Sequence, residues 1–480
     1  VSRAVVIGSG PNGLSAAVVL ARAGMDVEVV EAADDAGGGL RTRELTVPGF
    51  RHDVCSAIHP MAITSPFFRA FQLQRRVEYL AADISYAQSI SPSRAAVAYR
   101  DIERTAERLG PDAAAYRSLL GPLSERIDDV AELSMNSLLR LPRHPVTAAR
   151  FGARVLEQAG PWWRGRFGSE DAPSLLAGVA AHAISRLPSL SGAAVGLALA
   201  AHAHAPGGWP APRGGASAVA GAMIDDLLAH GGRVTVGRRV DDLAEFADAE
   251  VVIADTSARE LVRLAGERLP DRYAAALRRF RYGNAVAKID VALDGPVPWT
   301  RPELAAAPTV HLGGSWRETL HAENEVAAGR YPDTPYVLIA QPSVVDDSRA
   351  PAGGHVLWAY THVPSGSTRD MREAILDRIE SHAPGLRQRV LGVHATTAAD
   401  EEALNANYVG GDISSGAATI AQLLARPVLS PQPWRTPAAG LYLASSSAVP
   451  GPGIHGMGGY LAARTALADR GVAVPELGLH

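Results

Sequence analysis

The chain is poor in the residues that would point to several common chemistries. Cysteine occurs once in 480 residues, at Cys55. That excludes an intrachain disulfide or a thiolate metal centre, and a reducing, cytoplasmic setting is expected. Lysine also occurs once, at Lys288, among many arginines. Net charge is −4, so no excess of positive charge points to nucleic acid. No run reaches the length of a membrane span: the most apolar tract, LSGAAVGLALAAHAHA at 190–205, is too short and too rich in Ala and Gly. It is predicted as a buried helix, with a tunnel-lining or interfacial helix as the sharper reading. The first residues enter a strand pattern at once, so no signal peptide is expected. His202 and His204 form an H-x-H without a Cys or acidic neighbour, and no metal site is predicted. The glycine two places after Ser217 that a nucleophile elbow needs is missing. No second dinucleotide fingerprint appears, which argues against reduction by NAD(P)H.

What the chain does have is glycine, concentrated where strands meet helices. It opens on AVVIG, a short apolar run expected of a strand buried on both faces. Gly8, Ser9, Gly10, Pro11, Asn12 and Gly13 follow, giving G-x-G-x-x-G, and LSAAVVLARAG then shows helical spacing and stops at Gly24. DVEVVE is a second strand ending on Glu31 and Ala32. Strand, glycine turn, helix, strand and acid make up a dinucleotide-binding unit. Gly8 permits the turn, Gly10 a close approach to pyrophosphate, and Gly13 tight helix–strand packing. The helix N-terminus faces the phosphates, and Glu31 is placed for ribose hydroxyls. FAD and NAD both use this unit.

Residues 62–205 read as helices, with breaks at SPSR, LGPD, LPRHP and GPWW. The pair Trp162–Trp163 reads as a core or interface anchor. From 207 the α/β pattern returns: a helix over ASAVAGAMIDDLLAHGG, a strand over RVTVGRRV, and a strand ending on Asp255. The expected dinucleotide domain is therefore discontinuous, comprising 1–61, 206–268 and 431–480. The remainder, helical at 62–205 and β-rich at 269–430, is predicted as an α+β substrate domain with an antiparallel sheet. The fold class expected is α/β, a Rossmann-type domain plus that second domain.

The stretches IGSGPNGLSAA, GGGLRT, PGFRHDVCSAIHP, GWPAPRGG, QPSVVDDSRAPAGGHVLWAYTHVP, IESHAPG and LYLASSSAVPGPGIHGMGGYLAA together resemble the phytoene desaturase and phytoene dehydrogenase-related flavoproteins of the amine oxidase superfamily. The resemblance runs from end to end, apart from 62–205. It implies an FAD across the first domain, with Gly37, Gly38, Gly39 and Arg41 near the pyrophosphate. It also implies Val240, in the strand RVTVGRRV, beside the adenine. The turn through Ser445, Ser446, Gly453, Ile454 and Met457 would wrap the ribityl chain and flavin pyrimidine. This chain departs from the pattern in three places. Gly39 and Asp35 stand where relatives often carry arginine, a serine run replaces an acidic or glycine-rich step, and His455 replaces a common proline.

Three residues are candidates for chemistry. His59 follows a motif that in relatives lies beside the flavin ring; it reads either as a proton acceptor or as a structural histidine. Lys288 and Asp290 share one face of the strand AVAKIDVAL. Lys288 corresponds either to the lysine that amine oxidases hold near flavin N5 or to half of a surface ion pair. His455 meets the flavin C2 carbonyl or the substrate, or else stabilises its loop. The resemblance implies desaturation of carbon–carbon bonds in an apolar, isoprenoid- or carotenoid-like substrate, with oxygen or a quinone as electron acceptor and possible peripheral membrane contact. Saturation, isomerisation and amine oxidation are alternatives on the same fold. A non-catalytic prenyl-binding escort protein is an alternative of another class.

Overall fold

The computed structural model describes residues 2–479. The apolar run at the start forms the strand Arg3–Ile7, whose residues from Ala4 onward are buried. It is the central strand of a five-stranded sheet in the order Leu441–Leu443, Val251–Ala254, Arg3–Ile7, Asp26–Val30 and Arg233–Thr235. All pairings are parallel, with Val6 opposite Val29 on one side and Ile253 on the other. Three distant stretches of chain thus supply one sheet. The expected strand RVTVGRRV is only three residues long, because the chain turns at Gly237 with φ +66°.

The helix Pro11–Arg22 leaves the first strand with proline in its first turn, where a missing N–H costs nothing. Crossing it is the last helix, Met457–Asp469. A Cβ on Gly459 would fall 1.7 Å from the Asn12 carbonyl oxygen, so only glycine fits there. The contact is sealed by polar groups: Ser15 Oγ donates to the Gly456 carbonyl at 2.6 Å, and Gly458 N–H donates to Asn12 Oδ1 at 3.1 Å.

A second sheet of seven strands has the order Val390–Thr396, Ala285–Leu293, His355–Val363, Val337–Ala340, Thr309–Leu312, Ile84–Ser91 and Arg94–Tyr99. Two expectations are corrected here. The tract 62–205 is not wholly helical, because Ile84–Ser91 and Arg94–Tyr99 form a hairpin turning at the break SPSR. The sheet is also mixed, since Thr309–Leu312 runs parallel to Ile84–Ser91. The hairpin is buried on both faces, with alternate residues turned to opposite cores. Tyr86, Ala96 and Ala98 face a core of Leu119, Leu120, Val179 and Leu197 from the helices. Ala87, Val97 and Tyr99 face the opposite core, under Ile375 and Ile379. The tract at 190–205 forms the helix Leu190–Ala203, started by Ser189, whose hydroxyl accepts from Gly192 N–H at 3.0 Å. The tryptophan pair divides: Trp163 is buried edge-on against Trp316, whereas Trp162 is 86% exposed.

The two sheets are joined through buried charge. Asp53 lies on the short hairpin of Thr42–Arg43 with His52–Asp53. Its Oδ1 accepts from Thr42 Oγ1 at 2.7 Å and from Ala216 N–H at 2.8 Å, and its Oδ2 accepts from Arg349 at 2.5 Å. Arg349 is fully buried and lies 3.9 Å from Asp346. Lys288 Nζ donates to Asp290 at 2.5 Å and to the Asp53 carbonyl at 3.3 Å. Lys288 and Asp290 are 5% and 1% exposed, so the surface-pair reading is corrected. Removing one partner of such a pair strands a charge in the interior, at a cost of about 3–5 kcal/mol. Arg349→Met should therefore lower unfolding stability by that amount in a urea titration, whereas loss of less than 1 kcal/mol would show that the pair does not hold the domains together.

Candidate functional site

Between the two sheets runs one cavity of about 1120 Å³, beginning at the first glycine loop and ending among the helices of 62–205. That exceeds the roughly 300–1,000 Å³ of ordinary small-ligand pockets. At its first end it is bordered by Gly8, Ser9, Gly10, Pro11, Asn12, Glu31, Ala32, Gly38, Gly39 and Arg41, with Val240 beyond them. Ser445, Ser446, Gly453 and Ile454 border it from the last strand and turn.

The glycines here are explained by the protein's own atoms. A Cβ on Gly13 would lie 2.0 Å from the Gly8 carbonyl oxygen, and one on Gly10 would lie 2.8 Å from Asp255 Oδ2. A Cβ on Gly38 would meet Gly10 Cα at 2.8 Å, so the GGG turn lies directly on the first loop. Gly13 and Gly37 do not reach the cavity. Gly13 N–H donates to Asp255 Oδ2 at 2.8 Å, and Gly37 N–H donates to Ser9 Oγ at 2.9 Å. Asp255 is buried, and burial pushes its pKa up to about 7, helped by the Glu31 charge and opposed by Gly13 N–H.

Glu31 is already engaged on one side. Its Oε2 accepts from Ser9 N–H at 2.9 Å and Ser9 Oγ at 2.6 Å, and its Oε1 from Ala33 N–H at 2.9 Å. A carboxylate has about four acceptor positions, so one, on Oε1, remains for a ribose hydroxyl. Val240 lies in the loop past the strand Arg233–Thr235, not within it, where its carbonyl accepts from Arg263 at 3.1 Å. Arg41 donates to the Gly38 carbonyl at 2.8 Å and pairs with Asp35 at 3.3 Å.

The three candidates for chemistry fare differently. His59 lines the cavity, but Nε2 is held by the Ser56 carbonyl at 3.1 Å and Nδ1 meets Tyr79 Oη at 3.5 Å. Burial pushes it down to about 4. It is a neutral residue of the cavity wall, held in place through the Ser56 carbonyl. Lys288 does not border the cavity; it is enclosed in the ion cluster behind Trp358, 5.6 Å from that ring. His455 lies behind the turn, its Nδ1 accepting from Met457 N–H at 3.1 Å and its carbonyl accepting from Ser65 Oγ at 2.6 Å. Ring and loop stabilise each other, and neither His455 nor Met457 lines the cavity.

Sequence reading missed several wall residues. Arg426 is buried and donates to the carbonyls of Ser446 at 2.6 Å, Ser414 at 2.8 Å and Gly416 at 3.2 Å, tying the last turn to the 414–416 loop. Asn407 bridges Ser257 N–H and the Asp255 carbonyl, and Arg238 and Arg239 border the nucleotide end. At the far end stand Phe151, His182, Leu190, Val195, Trp209, Trp358 and Tyr360. Trp209, Trp358 and Tyr360 fall in stretches quoted above for the resemblance, and Leu190 and Val195 in the 190–205 tract with its tunnel-lining reading, but only tertiary folding brings them together as one wall.

A family model described as an NAD(P)-binding Rossmann-like domain matches residues 6–72. The pyridine nucleotide-disulfide oxidoreductase domain-containing protein 2 of Rattus norvegicus is 27% identical, over 97% of this chain and 93% of its own. The phytoene dehydrogenase of Streptomyces griseus is 27% identical over 76% of this chain and 73% of its own. Among solved structures, an oxidoreductase from Methanosarcina mazei has a TM-score of 0.64 at 16% identity, covering 97% of this chain and 100% of that one. A redesigned putrescine oxidase has a TM-score of 0.61 at 17% identity, covering 98% and 99%. The chain has a Rossmann-type FAD-binding oxidoreductase fold.

The residues present fit FAD. Gly10 and Asn12 border the cavity at the positive end of the helix Pro11–Arg22, and their N–H groups have no acceptor among the described residues. Glu31 keeps one acceptor position on Oε1 for the ribose. The cavity is continuous from there to its apolar end, as an extended flavin dinucleotide requires.

Two consequences can be measured. Gly13→Ala places its methyl group against the Gly8 carbonyl and should reduce bound FAD below about a tenth of stoichiometric; full flavin content in the purified variant would refute this placement. Asp255 gives a pH dependence. The folded state keeps the Asp255 proton up to about pH 7, whereas the unfolded chain releases it near 3.8. Its contribution to stability is therefore present below about pH 4 and lost as pH rises to 7, a change of order 4 kcal/mol. Asp255→Asn should be stabilised relative to the parent at pH 8 more than at pH 5, in urea midpoints of flavin-free protein; an equal difference at both would contradict the assignment.

Proposed function

We propose that this oxidoreductase desaturates carbon–carbon bonds of an apolar, isoprenoid- or carotenoid-like molecule. The observation that carries this reading is the split character of the cavity. Its carboxylates, Glu31, Asp34, Asp255 and Glu260, all come from the dinucleotide-binding sheet and its loops. Its far end is walled by Leu133, Phe151, Val155, Val195 and Leu199 on one side, and by Leu338, Trp358 and Tyr360 on the other. A cationic amine would find no counter-charge there, and a hydrocarbon would find the apolar surface that drives its burial.

FAD, when bound, supplies the two-electron oxidation. The chain's own contribution is to hold a C–H bond in position and to exclude water. His59 stays neutral at its place in the wall, and Lys288 stays inside its ion cluster. The same reading extends to partners. Leu141, Val146, Leu156 and Trp162 are exposed along the segment 141–162, which also supplies the wall residues Phe151 and Val155 and carries the exposed Arg143 and Arg150. Such a surface suits peripheral contact with a membrane that delivers the substrate. Electrons then leave to oxygen or a quinone.

The test is anaerobic mixing of the flavin-loaded protein with isoprenoid polyenes in vesicles and, separately, with aliphatic amines. Bleaching of the visible flavin band by the polyenes and not by the amines is expected. Bleaching by amines alone would make the protein an amine oxidase, and failure to retain any flavin would favour a non-catalytic lipid carrier.

A further inference from the structure

We propose that His182 is a substrate-positioning acceptor, and that the apolar substrate carries a hydroxyl group which donates to its Nδ1. The inference rests on the apolar-substrate reading and narrows it. His182 stands on the turn Ala181–Ala183 that ends the helix Asp171–Ala180, and it borders the far end of the cavity. Its ring is set edge-on to Trp209 and to His311, at 5.4 and 5.1 Å. Its Nε2 lies 3.0 Å from His311 Nε2, so one of these nitrogens carries the proton and the other accepts it. Which one follows from the residue behind them.

Gln88 is fully buried, and its Nε2 donates to the Gly314 carbonyl at 2.8 Å, which fixes the amide orientation. Its Oε1, an acceptor only, is therefore turned the other way. A Cβ on Gly178 would lie 2.0 Å from Gln88 Oε1 and 2.9 Å from His311 Nδ1, so both atoms are packed against the same glycine. Neither has a hydrogen-bond partner among the described residues. Two lone pairs turned toward each other in a dry interior repel, whereas a proton on His311 Nδ1 turns the positive end of an N–H dipole toward the Gln88 oxygen. His311 Nδ1 thus carries hydrogen, and His311 Nε2 is the acceptor. His182 Nε2–H donates to it, which leaves the His182 Nδ1 lone pair with no partner among the described residues, on a residue that faces the cavity.

A bare acceptor selects a donor. Burial keeps His182 uncharged, pushing it down to about 3, so it offers no attraction to an anion and cannot itself donate at Nδ1. An ammonium group would also be a donor, but no carboxylate borders this end to balance its charge. A neutral hydroxyl is the donor that fits. One polar group in an apolar pocket fixes the orientation of its ligand, here by the distance between the hydroxyl and the bond to be oxidised.

The test uses the FAD-loaded protein and isothermal titration with farnesol, farnesene and farnesylamine. Farnesol should bind about tenfold more tightly than farnesene, and His182→Phe should remove that gap by weakening the alcohol while leaving the hydrocarbon within about twofold. Farnesene bound as tightly as farnesol, an intact gap in His182→Phe, or the amine bound best would each overturn the His182 assignment alone. Absence of binding by alcohol and hydrocarbon alike would overturn the apolar-substrate reading and the assignment with it. Independently of any variant, ¹⁵N spectra of histidine-labelled protein should show His182 protonated at Nε2 and bare at Nδ1. The opposite tautomer would refute the proposal.

Discussion

The ion pair of Asp53 and Arg349 is the constraint on which the rest of the structure depends. Asp53 belongs to the hairpin that follows the glycine-rich turn, and Arg349 to the loop that precedes the long strand His355–Val363 of the second sheet. The cavity lies between the two sheets, so their spacing is its width. The carboxylate also receives the start of the helix Ser217–Ala229 through Ala216 N–H, and its carbonyl receives Lys288. Three segments distant in sequence are thereby set against one residue. Around it Asp53, Asp290 and Asp346 face Arg349 and Lys288, while burial pushes His52 down to about 4 and keeps it out of the charge balance. A cluster so enclosed contributes little net stability compared with well-packed apolar residues. What it supplies is directionality, because charges accept few alternative geometries where a hydrophobic contact would accept many.

The two glycine-rich helix starts follow a related logic. Each looks, as sequence, like a ligand loop. Only part of either touches the cavity. In the first, Gly13 exists to let its helix lie on the Gly8 carbonyl, and Gly38 to let the following turn lie on Gly10. In the last, Gly458 and Gly459 exist to let the C-terminal helix cross at Asn12. The loops are stacked on one another, and the cofactor cleft is the groove left beside the stack. Asp255 closes the arrangement by taking the Gly13 N–H, so a strand from the middle of the chain holds a helix from its beginning.

The legibility of the sequence followed the range of the interactions. The strand at Arg3–Ile7, the helix at Pro11–Arg22 and the acid at Glu31 follow from local pattern, because burial on two faces and helix capping leave marks within a few residues. The hairpin at Ile84–Tyr99 escaped because it lies in a tract otherwise rich in helix formers, and its alternation spans few residues. Lys288 and Asp290 were placed on one strand face, but no local signal says whether that face meets water or Arg349. His455 was conspicuous for its position in a glycine loop. Its role became readable only once Met457 N–H and Ser65 were found on either side of it. His182 had no signal at all: an AHA triplet in an Ala-rich tract acquires meaning only from His311 and Gln88, which come from other strands.

The wall of the far end also limits what can happen there. His59 and His182 are pushed down to about 4 and about 3 by burial, and Tyr360 is pushed up by the same cause. Each of these groups is therefore uncharged near neutrality, and each is uncharged for the same reason, the loss of water. A charge developing on a bound molecule at that end would meet no opposite side chain and little solvent. Charge is better accommodated at the other end, where Arg41, Arg238, Arg239 and the helix N-terminus gather. The cavity is polarised along its length, and a molecule that enters and leaves uncharged is the one its inner half can hold. Oxidation there must pass charge toward the cofactor side as it forms, which places the polar hydroxyl contact at His182 in the role of an anchor and not of a reactant.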